Sequence, residues 1–314
     1  MTTTVQATVQ PGAAVRRRAS ATARHTRRAV RQAVSFLALL LLLALVWEGA
    51  KWLGGDPWRP ENNPFGVSHN PPFRWKITSD LNLPHLWDIA GAFTSPARRG
   101  GPPLAGVLFD AALYTFREAI VGFLLGATLG LLLGTLFVHF NLLERGCMPY
   151  IVASQTVPIL AIAPMVIIWL KAGWFSVAVI AAYLTFFPVT INTLRGLRSP
   201  DPTAVELMRS YAASPWAILW KLRFPAALPY IFTAFKIAAT ASVVGSIIGE
   251  LPSGIRSGLG GAILNFNQYY ISGPQRLWAA IIASALVGIA FYLLIVVVEA
   301  YALRNRKAVA QRPS

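Results

Sequence analysis

Two groups of residues in this chain have types and spacings suited to chemistry, and both suit binding better than catalysis. The first is the run Asn265-Phe266-Asn267-Gln268-Tyr269-Tyr270. Phe266, Tyr269 and Tyr270 could stack on a planar ring, while Asn265, Asn267 and Gln268 offer hydrogen-bond donors and acceptors. An interfacial helix with a tyrosine belt has the same composition. Glycines at 254, 258, 260, 261 and 273 surround the run and permit a re-entrant turn into a protein-lined cavity. The second group is Gln155, Pro158 and Pro164 in one apolar stretch with Pro188 and Asn192 in the next. Polar groups in lipid are costly unless they face a cavity or another helix, and proline frees carbonyls that need partners. Such helices should be kinked and suit a bundle lining a path, although Ser, Thr and Asn also serve as helix-packing groups. Glu250, beside the glycines, reads as an ion-pair partner of Arg256.

Several chemistries lack their residues. There is no G-x-x-x-x-G-K-[ST] phosphate loop, so ATP hydrolysis by that route is not expected of this chain. No H-E-x-x-H or Cys/His cluster supports a metal site, and one cysteine, Cys147, excludes an intrachain disulfide. His25, His69, His85 and His139 are scattered, and Ser214 and Ser242 have no His and acid at suggestive positions. The expectation is a non-enzyme with no cofactor of its own.

The elements that must position these residues are set by composition. Of 314 residues, 55% are hydrophobic and only 13% charged, with a mean hydropathy of +0.53. That charged share is about half that of a soluble domain. The net charge of +16 invites comparison with basic nucleic-acid binders, but those place their cations on a hydrophilic surface that this composition lacks.

Runs of about 20 apolar residues can cross a hydrocarbon core of roughly 30 Å. Six such runs occur, at about Val34 to Leu53, Ile120 to Phe140, Pro149 to Leu170, Trp174 to Leu194, Pro229 to Gly249 and Leu277 to Tyr301. The predicted fold is all-α and polytopic. The first run follows a leader, residues 1–33, with seven arginines and no acid. No small-residue cleavage site follows the run, so an uncleaved anchor is expected. The leader, the connection after the fourth span and the tail, 304–314, hold most of the unbalanced cations, which places both termini in the cytoplasm. Residues 54–116 balance cations with acids and read as an irregular extracytoplasmic loop, with an amphipathic helix on Leu86, Ile89, Ala90 and Phe93. Gly122, Gly126, Gly130 and Gly134 give the second span a stripe for close helix approach.

The connection 199–229 is long and helical in pattern. Ser199-Pro200-Asp201-Pro202-Thr203 predicts a helix start ahead of Ala204 to Tyr211, with Asp201 and Glu206 suited to its positive end. Ser214-Pro215-Trp216 predicts a second short helix ending before Phe224-Pro225. This element suits a docking role or a solvated amphipathic loop.

Its residues carry a specific resemblance. Glu206-Leu207-Met208-Arg209-Ser210-Tyr211-Ala212-Ala213-Ser214, followed by Phe224-Pro225-Ala226-Ala227-Leu228-Pro229, resembles the E-A-A coupling loop of permease subunits of binding-protein-dependent ABC importers. It departs at Leu207 and Met208, where the family has alanines, and at Ala212, where the family has glycine at the turn. The resemblance extends from about Leu83 to Tyr301, with Thr115-x-Arg117-x4-Gly122-Phe123 matching a family pattern. Val157-Pro158 to Trp169 and Phe187-Pro188 to Gly196 are similar to the nitrate/sulfonate/taurine branch. Gly249 to Gly254 and Gly258 to Tyr270 most resemble permeases for riboflavin or thiamine-precursor pyrimidines.

The resemblance implies a permease core over 117–303. Glu206, Arg209, Ala212, Ala213, Ser214, Pro225 and Pro229 would form a dock for a separate ATPase that holds the ATP and magnesium. It implies delivery by an extracytoplasmic binding protein and a homodimer in the inner membrane. Two other readings stand beside it. A secondary transporter would use Lys236, which also suits a side chain snorkelling to the inner face. A membrane-anchored nucleic-acid binder would use the arginine leader.

Overall fold

The computed structural model describes residues 11–98 and 100–304. Arg99 and the tail cations Arg306, Lys307 and Arg312 lie outside the described residues, as do the first ten residues of the leader. Among the described residues the regular elements are helical. The chain falls into two units that meet in sequence between Trp87 and Asp88.

In the first unit, α1 (Pro11–Gly54) carries the leader and the first span as one helix. Its apolar part, Val34–Gly54, exposes Leu37, Leu41 and Leu45, as a lipid-facing segment should. Its last turns hold together the chain that follows. Lys51 is fully buried and donates to Asp80 Oδ1 and to the Leu83 carbonyl, both at 2.6 Å. Glu48 accepts from the Leu86 N–H at 2.8 Å and contacts His85 Nδ1 at 2.7 Å. His85 stacks on Trp87, and Trp58 meets both rings edge-on. The expected irregular loop is therefore a small folded cap whose buried charges are paired.

The second unit begins within α2 (Leu86–Thr94), where Ile89 and Ala92 are buried. A bridge between Pro96 and Pro103 leads into α3 (Leu104–His139). Then follow α4 (Asn141–Ser154), α5 (Ile159–Leu170), α6 (Trp174–Leu197), α7 (Pro202–Ser210) and α8 (Pro215–Ile218). A π-helical turn (Leu219–Arg223) joins α8 to α9 (Phe224–Ser253), followed by α10 (Leu259–Gln268) and α11 (Pro274–Ala302).

Three expectations need correction. The second span starts at Leu104, sixteen residues before the apolar run. Asp110, Arg117 and Glu118 interrupt the hydropathy, yet nothing after Pro103 breaks a helix. At 1.5 Å per residue α3 is about 54 Å long, well beyond a bilayer core, and the expected boundary at 116 falls inside it. The third span is broken: α4 and α5 meet at 102° across Gln155 to Pro158, whereas Pro149 and Pro164 lie inside helices. Pro158 disfavours helical backbone in the residue before it, which explains why the break falls there. The second short helix does not end before Phe224, because the π turn carries it into α9. The proline at 225, which has no N–H to give, sits just past the stretch where the α ladder has given way to π bonding.

Helix α6 is the centre of this unit, and both α3 and α9 pack against it. The glycine stripe of α3 lies against it: a Cβ at Gly130 would stand 2.7 Å from the Phe186 carbonyl and 2.8 Å from Val189 Cβ. Gly245 of α9 likewise leaves no room for a side chain against α6, since its Cβ would stand 2.8 Å from Ala181 Cα. Small residues let backbones approach, which drives helix association where lipid removes the hydrophobic incentive. Phe123 meets Phe235 and Phe291 edge-on, tying α11 to the same core.

Candidate functional site

The α6–α9 connection is built from local signals. Asp201 caps α7 by accepting the Thr203 N–H at 2.8 Å, and Pro202 occupies the first helical position. Hydrogen bonds from Thr203 hold the Asp201 carboxyl below the usual carboxylate range. The helix ends in a Schellman motif: the Ala213 N–H reaches the Met208 carbonyl at 3.0 Å and the Ala212 N–H the Arg209 carbonyl at 2.8 Å. Ala212 adopts φ 53° there, the left-handed conformation that normally selects glycine. The sharp turn thus survives the alanine at the cost of strain. Ser214 then caps α8 through the Ala217 N–H at 3.2 Å.

Glu206 and Arg209 are exposed on this element together with Leu207, Tyr211, Trp216 and Trp220, four large apolar side chains facing outward. Beneath it, Leu219 packs with Leu197, Ala227 and Ile231, so the connection is seated on the ends of α6 and α9. Arg198 pairs with Glu144 of α4 through its Nη1 at 2.8 Å. The connection is therefore in contact with α6 and α9, and the end of α6 with the broken span. Pro225 begins α9, and Pro229 lies one turn further, its carbonyl taken by Thr233.

The expected path residues separate. Gln155 and Pro158 are exposed at the α4–α5 break, where the Tyr183 hydroxyl donates to the Ser154 carbonyl that the break leaves free. Pro164 is exposed on α5. α6 continues through Pro188, and Asn192 donates to the Pro188 carbonyl at 2.8 Å, so its amide serves its own helix. Asn265, Phe266, Gln268 and Tyr269 do come together, lining a cavity of about 910 Å³ with Arg98, Arg256 and Arg276. Tyr270 sits beyond them in the turn Tyr270–Ser272.

Glu250 lines the same cavity but does not pair with Arg256 as expected. Its Oε1 accepts the Thr115 hydroxyl at 2.6 Å and its Oε2 the Gly260 N–H at 2.5 Å, while Thr115 accepts the Leu259 N–H at 2.8 Å. Two side chains from α3 and α9 thereby satisfy the orphan donors at the start of α10. The glycines serve this approach, because a Cβ at Gly260 would stand 2.7 Å from Glu250 Cβ. Sequence reasoning missed Glu118, which is 1% exposed beside this network. Its signal was an acid two residues ahead of an apolar run, hidden because hydropathy starts that run only at Ile120. Lys236 pairs with Glu299 at 3.0 Å, half-buried, between α9 and α11.

These features define a polytopic helical membrane protein whose spans are joined by an exposed, rigidly capped helix pair. Residues 126–305 match the family described as binding-protein-dependent transport system inner membrane component, and the chain belongs to that family. It is 30% identical over 200 residues to the riboflavin transport system permease protein of Chloroflexus aurantiacus, covering 64% of this chain and 74% of the relative. It is 36% identical over 140 residues to the formylaminopyrimidine transport permease protein of Halalkalibacterium halodurans, covering 45% and 56%. A putative aliphatic sulfonates transport permease of Bacillus subtilis is 34% identical over 185 residues, covering 59% and 66%. The chain is thus a permease subunit of an ABC importer, a multi-pass membrane protein.

Proposed function

We propose that two copies of this subunit form the conduit of the importer, with both termini cytoplasmic. Residues 204–225 dock into a separate ATPase that binds ATP and magnesium, and a binding protein delivers substrate at the opposite end. The observation that carries this reading is the exposed face of Glu206, Leu207, Arg209 and Trp216 on an element seated against α6 and α9. ATP-driven closure of the ATPase pair would favour one helix arrangement through differential contact with that face. Co-purification tests it. The wild type should retain its ATPase, and Glu206→Lys should lose it while remaining inserted and dimeric; retention by the variant would overturn the dock.

For the substrate, the proposal is a small planar heterocycle, riboflavin or a related vitamin precursor. The cavity that joins Phe266 and Tyr269 with Asn265 and Gln268 supports it, as do the cargoes named for the first two relatives. Its volume suits a ligand of that size. A second reading rests on Arg98, Arg256 and Arg276 around the same cavity, which favour an anion such as a sulfonate, taurine or nitrate. Ligand binding by the cognate binding protein separates the two: riboflavin should be retained and taurine not. Retention of taurine alone would overturn the first reading.

A further inference from the structure

Glu118 and Glu250 are both 1% exposed, and Glu118 stands three residues along α3 from Thr115, whose hydroxyl donates to Glu250, so the two carboxyls share one face of the α3–α9 seam. Glu250 has a donor on each oxygen, from Thr115 and Gly260. Glu118 has none: neither of its oxygens meets a donor among the described residues. Two carboxylates are both acceptors, and at this range they repel. A face-to-face pair becomes a hydrogen bond only when one member carries a proton. The donors on Glu250, reinforced by the positive end of α10, favour its charged form, which leaves the proton to Glu118.

The surrounding charges are few. On α3, Tyr114 and Arg117 act on the pair, and the Arg117 guanidinium stands 5.1 Å from the centre of the Trp174 ring of α6. α10 contributes no titratable side chain, and the α9–α10 connection contributes Arg256, whose backbone lies against Gly261. The first turns of α6 contribute none, while Arg98 before α3 and Arg276 in the first turn of α11 line the cavity that Glu250 also lines.

We propose that Glu118 and Glu250 form a proton-binding site in which the Glu118 O–H donates to the Glu250 carboxylate and latches α10 to α3 and α9. Loss of the proton leaves two buried carboxylates in contact. The repulsion is relieved when α3 and α9 part at this seam and water reaches both carboxylates; the first turn of α10, held by Thr115 of one helix and Glu250 of the other, is then released, and α10 carries Asn265, Phe266 and Gln268 on the cavity wall. The effect on transport rests on the reading of that cavity as the substrate's path; the proton site does not.

The test uses the purified full chain in lipid nanodiscs, by infrared absorption and by hydrogen exchange over residues 259–268. At neutral pH the wild type should show a protonated-carboxyl band that is lost in Glu118→Gln. The amide introduced by that substitution keeps a donor, so α10 in the variant should stay protected, whereas wild-type α10 should lose protection on alkalinisation beyond the intrinsic rise in exchange. Glu118→Ala removes the repelling acid together with the donor, so its α10 should show no loss of protection on alkalinisation beyond the intrinsic rise. An undiminished band in Glu118→Gln, or the same pH profile in that variant and the wild type, would overturn the site. If band and exchange behave as expected while reconstituted uptake is indifferent to Glu118→Gln across pH, the proton site stands and the path assignment of the cavity fails.

Discussion

The two ends of the second unit hold their short helices by opposite means. At the α7–α8 end, these helices are closed by residues within a few positions of them: Asp201, Pro202, Ser214 and the Ala212 turn. At the other end, α10 is held by Thr115 and Glu250, 144 and 10 residues from their backbone partners. The first arrangement leaves a rigid face free for a partner. The second makes the position of α10 depend on how α3 and α9 sit.

Removing the tertiary hold should have the largest effect. Glu250→Leu leaves the Thr115 hydroxyl and the Gly260 N–H buried without an acceptor, and should cost about 3 kcal/mol. A detergent-solubilised thermal melt should show the drop, together with lost protection of α10. Gly130→Val tests the α3–α6 seam on which both ends depend. Its side chain would meet the Phe186 carbonyl, and overpacking of this kind should cost about 2 kcal/mol by the same melt.

Local changes at the α7–α8 end should be smaller. Ser214→Ala removes a cap and should cost about 1 kcal/mol, read as faster exchange in α8. Ala212→Gly should move the other way by about 1 kcal/mol, because glycine removes the left-handed strain that alanine bears. A destabilised Ala212→Gly protein would mean the turn is held in some other way. The smallest effect is electrostatic. The folded Asp201 carboxyl titrates below its unfolded value, so its contribution is present above the unfolded range and is lost as the pH falls through the folded value. Protection of α7 should decline in acid, and Asp201→Asn, which caps without titrating, should abolish that decline.

The same contrast explains what could be read in the sequence. Asp201-Pro202, Ser214-Pro215 and the glycine stripe act on neighbours or at a fixed helical period, so their roles were legible. The left-handed turn at 212 was legible as a position, though not that alanine would hold it. Glu118 and Glu250 take their meaning from contacts between helices far apart in the chain. Hydropathy placed Glu118 outside the span, and nearness in sequence gave Glu250 an ion-pair partner in Arg256. Adjacency groups Tyr270 with Tyr269, yet the turn after α10 separates them. The 102° break followed Pro158 and ignored Pro164, since only the former meets a chain already leaving the helix at Gln155.

Whether the exposed α7–α8 face carries the partner's ATP cycle to the spans is tested most directly by the ATPase rate of the importer reconstituted with Glu206→Lys, with and without loaded binding protein. The variant should insert normally and show a basal rate that loaded binding protein no longer raises. Full stimulation by loaded binding protein would contradict the docking role of that face.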